Sequence, residues 1–265
     1  DITQISFGRR EVSPYVNRMR LMWYSMREDI INNFPKAPVA PVNISRYLDE
    51  VEDKFVTDAY HSLSIEGYRV TYELIEHVRS SQWKPEQSDE SQKHLDAMAA
   101  KGYWDTFQRV KQAVERVLNG ENASEVLEEA HADWYLALFG PSVAAGSVKQ
   151  SDLAGYRTGP VYIRKSMHTP PSREAIRDMM PTLFDLLIEE ANPAVRVVLG
   201  HFIFVYIHPH FDGNGRMRRF IMNLMMASGG YPWTIVPVEK REDYMQALEA
   251  ASVHKNIVPF TKFIA

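Results

Sequence analysis

The stretch HPHFDGNGRMRR, His208 to Arg219, decides how this chain is read. Before it runs HFIFVYI (201–207) and after it FIMNLMM (220–226), two apolar segments suited to a core. Between them stand histidines, an aspartate, two glycines around an asparagine, and three arginines. The pattern predicts helix, loop, helix, with the glycines at the N-terminus of the second helix. Such an end exposes unpaired backbone N–H groups and the positive pole of the helix dipole. Glycine lets a ligand approach that backbone closely, so the end is suited to an anion, above all phosphate. Arg216 and Arg219 are three apart and leave the first turn on one side. Their guanidinium forks match phosphate oxygens. A carboxylate at Asp212, beside bound phosphates, suits Mg²⁺. An imidazole at His208 can take a proton from a hydroxyl near neutral pH. Together these groups describe phosphoryl or nucleotidyl transfer. Alone, each has a plainer reading: Asp-Gly-Asn-Gly as a turn, HPH as a helix end, RMRR as a solvated face. A zinc site at His208, His210 and Asp212 is a further alternative, disfavoured by the arginines that follow. There is no GxxxxGK[ST], so this is not a P-loop.

Outward from the motif, long amphipathic segments dominate and the chain reads as mainly α. Asn192-Pro193 opens a helix to Ile207, whose β-branched content leaves strand as an alternative that its length disfavours. Arg216 to Ser228 forms the helix after the motif, closed by Gly229-Gly230. Further helices are expected at 14–33, 45–61 with Ser45 as N-cap, and 71–78 after Thr71. Others follow at 91–118 ended by Asn119-Gly120, Ser124 to Leu138 closed by Gly140-Pro141, 172–190, 241–252 and 257–265. SLSIEG (62–67) is expected to interrupt the second. Residues 156–168 hold the strand-like piece, where Val161 and Ile163 alternate with Tyr162 and Arg164.

The 265 residues carry a formal charge of -4, with 45% hydrophobic and 24% charged residues. That balance gives no overall reason to expect nucleic acid or a membrane surface as partner. No apolar run reaches the ~18 residues of a membrane span, and no signal peptide is visible. The absence of cysteine excludes disulfides, thiol nucleophiles and Cys-based zinc sites, and a cytoplasmic location is expected. Oligomeric state, including a homo-oligomer, is left open.

HPHFDGNGRMRR resembles the signature of Fic-domain proteins, HPFx[D/E]GNGRxxR. It matches at His208, Pro209, Asp212, Gly213, Asn214, Gly215, Arg216 and Arg219, and departs at His210, where the family mostly has an inward-packing Phe. The resemblance implies a mainly α, Fic-type helical bundle with a small β-hairpin flap over the active site. It implies transfer of AMP from ATP to a Ser, Thr or Tyr hydroxyl of a target protein, with auto-modification. The roles it implies are His208 as general base, Asp212 as Mg²⁺ ligand, Gly213, Asn214 and Gly215 as anion hole, and Arg216 and Arg219 as phosphate contacts. Gly215 stands where Doc-type kinases carry Lys. Residues 155–171 resemble the flap, with Val161, Tyr162, Ile163 and Arg164 binding the target by strand pairing. In residues 235–251, which resemble the family's C-terminal part, Tyr244 is the candidate for lining the nucleotide-base pocket.

SLSIEG resembles the Fic inhibitory motif [S/T]xxxE[G/N], with Ser62, Glu66 and Gly67 at the matching positions. A glutamate reaching Arg219 would form a charge-assisted fork and take the place of the ATP γ-phosphate. The chain is thus expected to divide into a helical region at 1–115, with the inhibitory helix near 57–67, and a catalytic core at 116–265. The alternatives are removal of AMP from modified proteins by the same site, or a non-catalytic ATP-binding module.

Overall fold

The computed structural model describes residues 13–39, 42–80, 83–85 and 91–265. In chain order the helices are α1 (Pro14–Asn33), α2 (Ile44–Ile65), α3 (Tyr72–Arg79), α4 (Gln92–Leu118), α5 (Ala123–Ala144), α6 (Arg173–Glu189), α7 (Pro193–Ile207), α8 (Asn214–Ser228), α9 (Arg241–His254) and α10 (Val258–Ile264). Short 3-10 turns lie at Gln150–Leu153 and Val238–Lys240. No helix among the described residues is long and apolar enough to cross a membrane.

The centre of the bundle is the pair α7 and α8. Val195, Val198, Leu199, Phe202 and Ile203 of α7, and Met217, Phe220, Ile221 and Leu224 of α8, are buried. α4 packs on α8 and α5. The approach of α4 to α5 needs Gly102, because a Cβ there would lie 2.0 Å from the Leu138 carbonyl oxygen.

α2 is fixed by an apolar stripe of Val51, Phe55, Ala59 and Leu63, one turn apart and buried. Burying a Phe or Leu contributes about 1.5–3 kcal/mol each. Hydrogen bonds tie α2 to the C-terminal half: Tyr47 Oη to the Tyr231 carbonyl at 2.7 Å, and Lys54 Nζ to the Trp233 carbonyl at 2.8 Å. Arg241 Nε donates to the Ile65 carbonyl at 2.9 Å, satisfying one of the last orphan acceptors of the helix.

Three expectations are corrected. α2 is capped by Asn43, whose side chain accepts from the Arg46 N–H, rather than by Ser45. SLSIEG does not interrupt α2. The helix runs through Ile65, because Ser62, Leu63 and Ile65 are buried and packing outweighs weak local preference. α5 passes Gly140-Pro141 and ends at Ala144; Pro141 is buried in its last turn and its carbonyl accepts the Ala145 N–H at 2.9 Å.

The strand expected at Val161 to Arg164 is not formed, and the described residues contain no strand. The alternation is real in burial: Val161 and Ile163 are half-buried while Tyr162 and Arg164 are exposed. Alternation reports one-sided packing, and a strand also needs a ladder partner, which this segment lacks among the described residues.

Candidate active site

α7 ends at His208, which takes the left-handed conformation at φ 52° and ψ 61° and donates its N–H to the Phe204 carbonyl at 2.9 Å. Pro209 turns the chain away. The loop is closed by Asn214, whose Oδ1 accepts the His210 N–H at 3.0 Å and whose Nδ2 donates to the His210 carbonyl at 2.7 Å. The Asn214 side chain is thus spent on the loop, leaving its backbone to face the helix end. Gly213, at φ 80°, caps α8. His210 points inward as an aromatic, stacked on Tyr135 with ring centroids 3.7 Å apart.

The C-terminus of α2 meets the N-terminus of α8. Arg219 is 3% exposed. Its Nε donates to Ser62 Oγ at 2.8 Å, and one terminal nitrogen donates to the Ser62 carbonyl at 3.0 Å and to Glu66 Oε1 at 2.6 Å. Glu66 ends α2, and Gly67 at φ 93° turns the chain off it. The Glu66 carboxylate lies directly on the first turn of α8: a Cβ on Gly215 would stand 2.0 Å from Oε1. A larger residue there would have to displace the Glu66 carboxylate from this position. Burial pushes the Glu66 carboxyl up, but the charges of Arg219, Arg218 and Arg216 outweigh this and hold it below the usual range. Burial alone would push the Arg219 guanidinium down; Glu66 reverses that and holds it above its ordinary value.

Arg216 lies between the rings of Tyr68 and Phe139, 5.1 and 5.2 Å from their centroids. One of its terminal nitrogens approaches Asp212 Oδ2 at 3.4 Å. Asp212 Oδ1 accepts the Gly213 N–H at 2.6 Å, and the side chain is 67% exposed. One open carboxylate beside an anion cradle fits Mg²⁺, which keeps several waters and takes further oxygens from phosphates.

The His208 imidazole is pushed down to about 4 by burial, then by Arg218, Arg157 and His168. Nδ1 is buried without a hydrogen bond of good geometry, and the nearby Val205 carbonyl only partly favours the protonated form. The ring is therefore neutral and free to accept a proton at physiological pH.

Tyr244 is not brought to an open face of the site. It is fully buried, with its Oη 2.6 Å from His201 Nε2 and the Arg218 guanidinium 4.8 Å above its ring. The segment expected to form the flap is pinned at its turn: Ser166 Oγ and the Met167 N–H donate to Glu249 at 2.5 and 2.7 Å. Tyr162 is 83% exposed.

Several site neighbours escaped the sequence reading. Asp58 precedes Ser62 by one helical turn, as Ser62 precedes Glu66, so the stripe Asp58–Ser62–Glu66 was there to be found at spacing four. Asp58 accepts from Tyr103 Oη at 2.6 Å and is pushed up to about 6 by burial. Arg157, Arg218 and Tyr68 carried no signal, since their neighbours are set by tertiary packing.

These groups give stability a pH dependence. His201, His208 and His210 stay neutral in the fold by burial, the latter two down to about 4 and about 3. Each takes up a proton on unfolding below about 6.5, so its contribution is present above that pH and is lost as pH falls. Asp58 has the opposite sign, its raised pKa favouring the fold below about 6. The histidines outnumber it, so urea stability should fall between pH 6.5 and 4.5. The slope is about 1.4 kcal/mol per pH unit for each net proton. A flat profile over that window contradicts the assignment.

Residues 122–226, from the cap of α5 to the last turns of α8, match the Fic/DOC family model. The chain contains a Fic domain. Over 114 residues it is 37% identical to the protein adenylyltransferase Fic of Nematostella vectensis, covering 42% of this chain and 26% of the relative. Over 124 residues it is 32% identical to the protein adenylyltransferase fic-1 of Caenorhabditis elegans, covering 45% and 24%. The chain thus spans about a quarter of the length of the curated relatives it matches. The fold likeness reaches beyond the matched Fic segment. Fic-1 from C. elegans superimposes with a TM-score of 0.64 at 19% identity, over 94% of this chain and 68% of that one. A Fic domain-containing signalling protein from Bacteroides thetaiotaomicron gives 0.60 at 18% identity, over 94% and 91%.

Proposed function

We propose that the chain is an autoinhibited protein adenylyltransferase, transferring AMP from ATP to a hydroxyl of a target protein. The observation that carries this reading is the Glu66 carboxylate resting on Gly215 and bonded to Arg219. An anion of this chain sits in an anion cradle, and the cradle is built for phosphate. When Glu66 withdraws, the α8 N–H groups, Arg216 and Arg219 are free for the triphosphate. His208 takes the proton of the target hydroxyl as its oxygen attacks the α-phosphorus. The bond from that phosphorus to the bridging oxygen breaks, and pyrophosphate leaves with the electron pair. Mg²⁺, held by Asp212 with the phosphates, would neutralise charge on the leaving group.

With Glu66 in place the γ-phosphate position is taken, and about 1 Å of misplacement of the reacting phosphorus suppresses rate strongly. Residues 1–115 then serve as the regulatory region through α2, and 116–265 as the catalytic core. The segment at Val161 to Arg164 has strand alternation and no ladder partner, which supports pairing with an extended stretch of the target.

The test uses the Glu66→Gly form with ATP labelled at the α- or the γ-phosphate. Protein-bound label from the α-phosphate, on the chain itself or on a lysate protein, supports the reading. Label from the γ-phosphate, or release of AMP from a modified protein as the main activity, overturns it.

A further inference from the structure

Arg157 follows the Gln150–Leu153 turn and precedes α6, and it is 4% exposed. A buried guanidinium ordinarily meets a carboxylate. Among the described residues this one meets backbone carbonyls instead. Its Nε donates to the His208 carbonyl at 2.8 Å and one terminal nitrogen to Gly159 at 2.8 Å. The other terminal nitrogen donates to Pro171 and, at 3.5 Å, to Ile207. The Arg157 N–H donates to the Pro209 carbonyl at 2.8 Å. Burial pushes the guanidinium down, and no carboxylate offsets it. The one side chain therefore grips the turn bearing the imidazole and both ends of the segment 159–171. His208 needs such a grip, since a non-glycine residue at positive φ costs about 1 kcal/mol or more and persists only where its surroundings enforce it.

We propose that Arg157 is a positioning residue that locks the His208 turn to the 159–171 segment, so that the proton acceptor and the target-binding segment hold one geometry. This deepens the reading of His208 as base and rests on it. Lysine carries the charge but not the fork, so it cannot bridge the two sides of the clamp. The groups facing His208 are Arg218 from α8, Arg157 and His168 from the segment between the 3-10 turn and α6, His210 from its own loop, and the Val205 carbonyl from α7.

The test compares the full chain with its Arg157→Gln and Arg157→Lys variants by hydrogen exchange and by NMR titration of His208. Exchange in 159–171 and in 207–213 should rise together, by about tenfold or more, in both variants. A rise in one segment alone, or in neither, overturns the proposal. The His208 midpoint should move up in Arg157→Gln and stay near its original value in Arg157→Lys; no difference between the two overturns it as well. Should Arg157→Gln fail to fold, the charge-keeping Arg157→Lys is read by the same exchange criterion. In the Glu66→Gly background both variants should lose about tenfold or more in kcat, with KM for ATP within about threefold. If the Glu66→Gly parent itself transfers no AMP, the functional reading fails while exchange and titration still decide the clamp.

Discussion

Replacing Glu66 with glycine should raise AMP transfer by about tenfold to a hundredfold, the range a misplaced reacting group costs. The cause is local. The carboxylate leaves the first turn of α8 and Arg219 loses the partner at 2.6 Å. The same change destabilises the free protein. Arg219 remains buried, held only by the Ser62 hydroxyl and carbonyl. Removing one partner of a buried pair costs about 3–5 kcal/mol, and the partial exposure of Glu66 brings this to the lower end. ATP should restore much of that loss, since its phosphates resupply the missing anion and bind only the folded state. Thermal scans with and without ATP, beside a transfer assay, check both halves. A variant that is no faster, folded, and equally stable sinks the latch.

Replacing His208 with alanine in the Glu66→Gly background should lower kcat by about 10²–10⁴, the usual contribution of a positioned general base. ATP affinity should stay within about twofold, because the α8 N–H groups and the two arginines are untouched. The wild-type imidazole is neutral down to about pH 4, so activity should not fall through the ordinary histidine range near 6.5. A kcat limb centred there would mean that another group accepts the proton. Equal activity with and without the imidazole would falsify its role outright.

Much of this was legible in the chain. The loop between two core helices could be read because glycine, proline and charge stand at fixed offsets within twelve residues, and the structure puts them at the α7–α8 junction. Helix periods were equally plain for α1, α4 and α6. What failed were local punctuation rules. Gly140-Pro141 read as a helix end and SLSIEG as an interruption, yet α5 runs on through the first and α2 through Ile65 of the second, where the neighbours are buried. Val161 to Arg164 read as strand because alternation is local, while a ladder needs a partner. The arginines at 157 and 218 were opaque for the same reason, since nothing within the chain's neighbourhood tells a surface charge from one enclosed by remote helices.

The contact between Gly215 and Glu66 makes two distant positions one unit of selection. A methyl group at 215 and the Glu66 carboxylate in its present place exclude each other, so one must shift. Change at either position therefore alters what the other can tolerate, and the effects of substituting both will not add. The smallest side chain in the site records the presence of the helix that covers it.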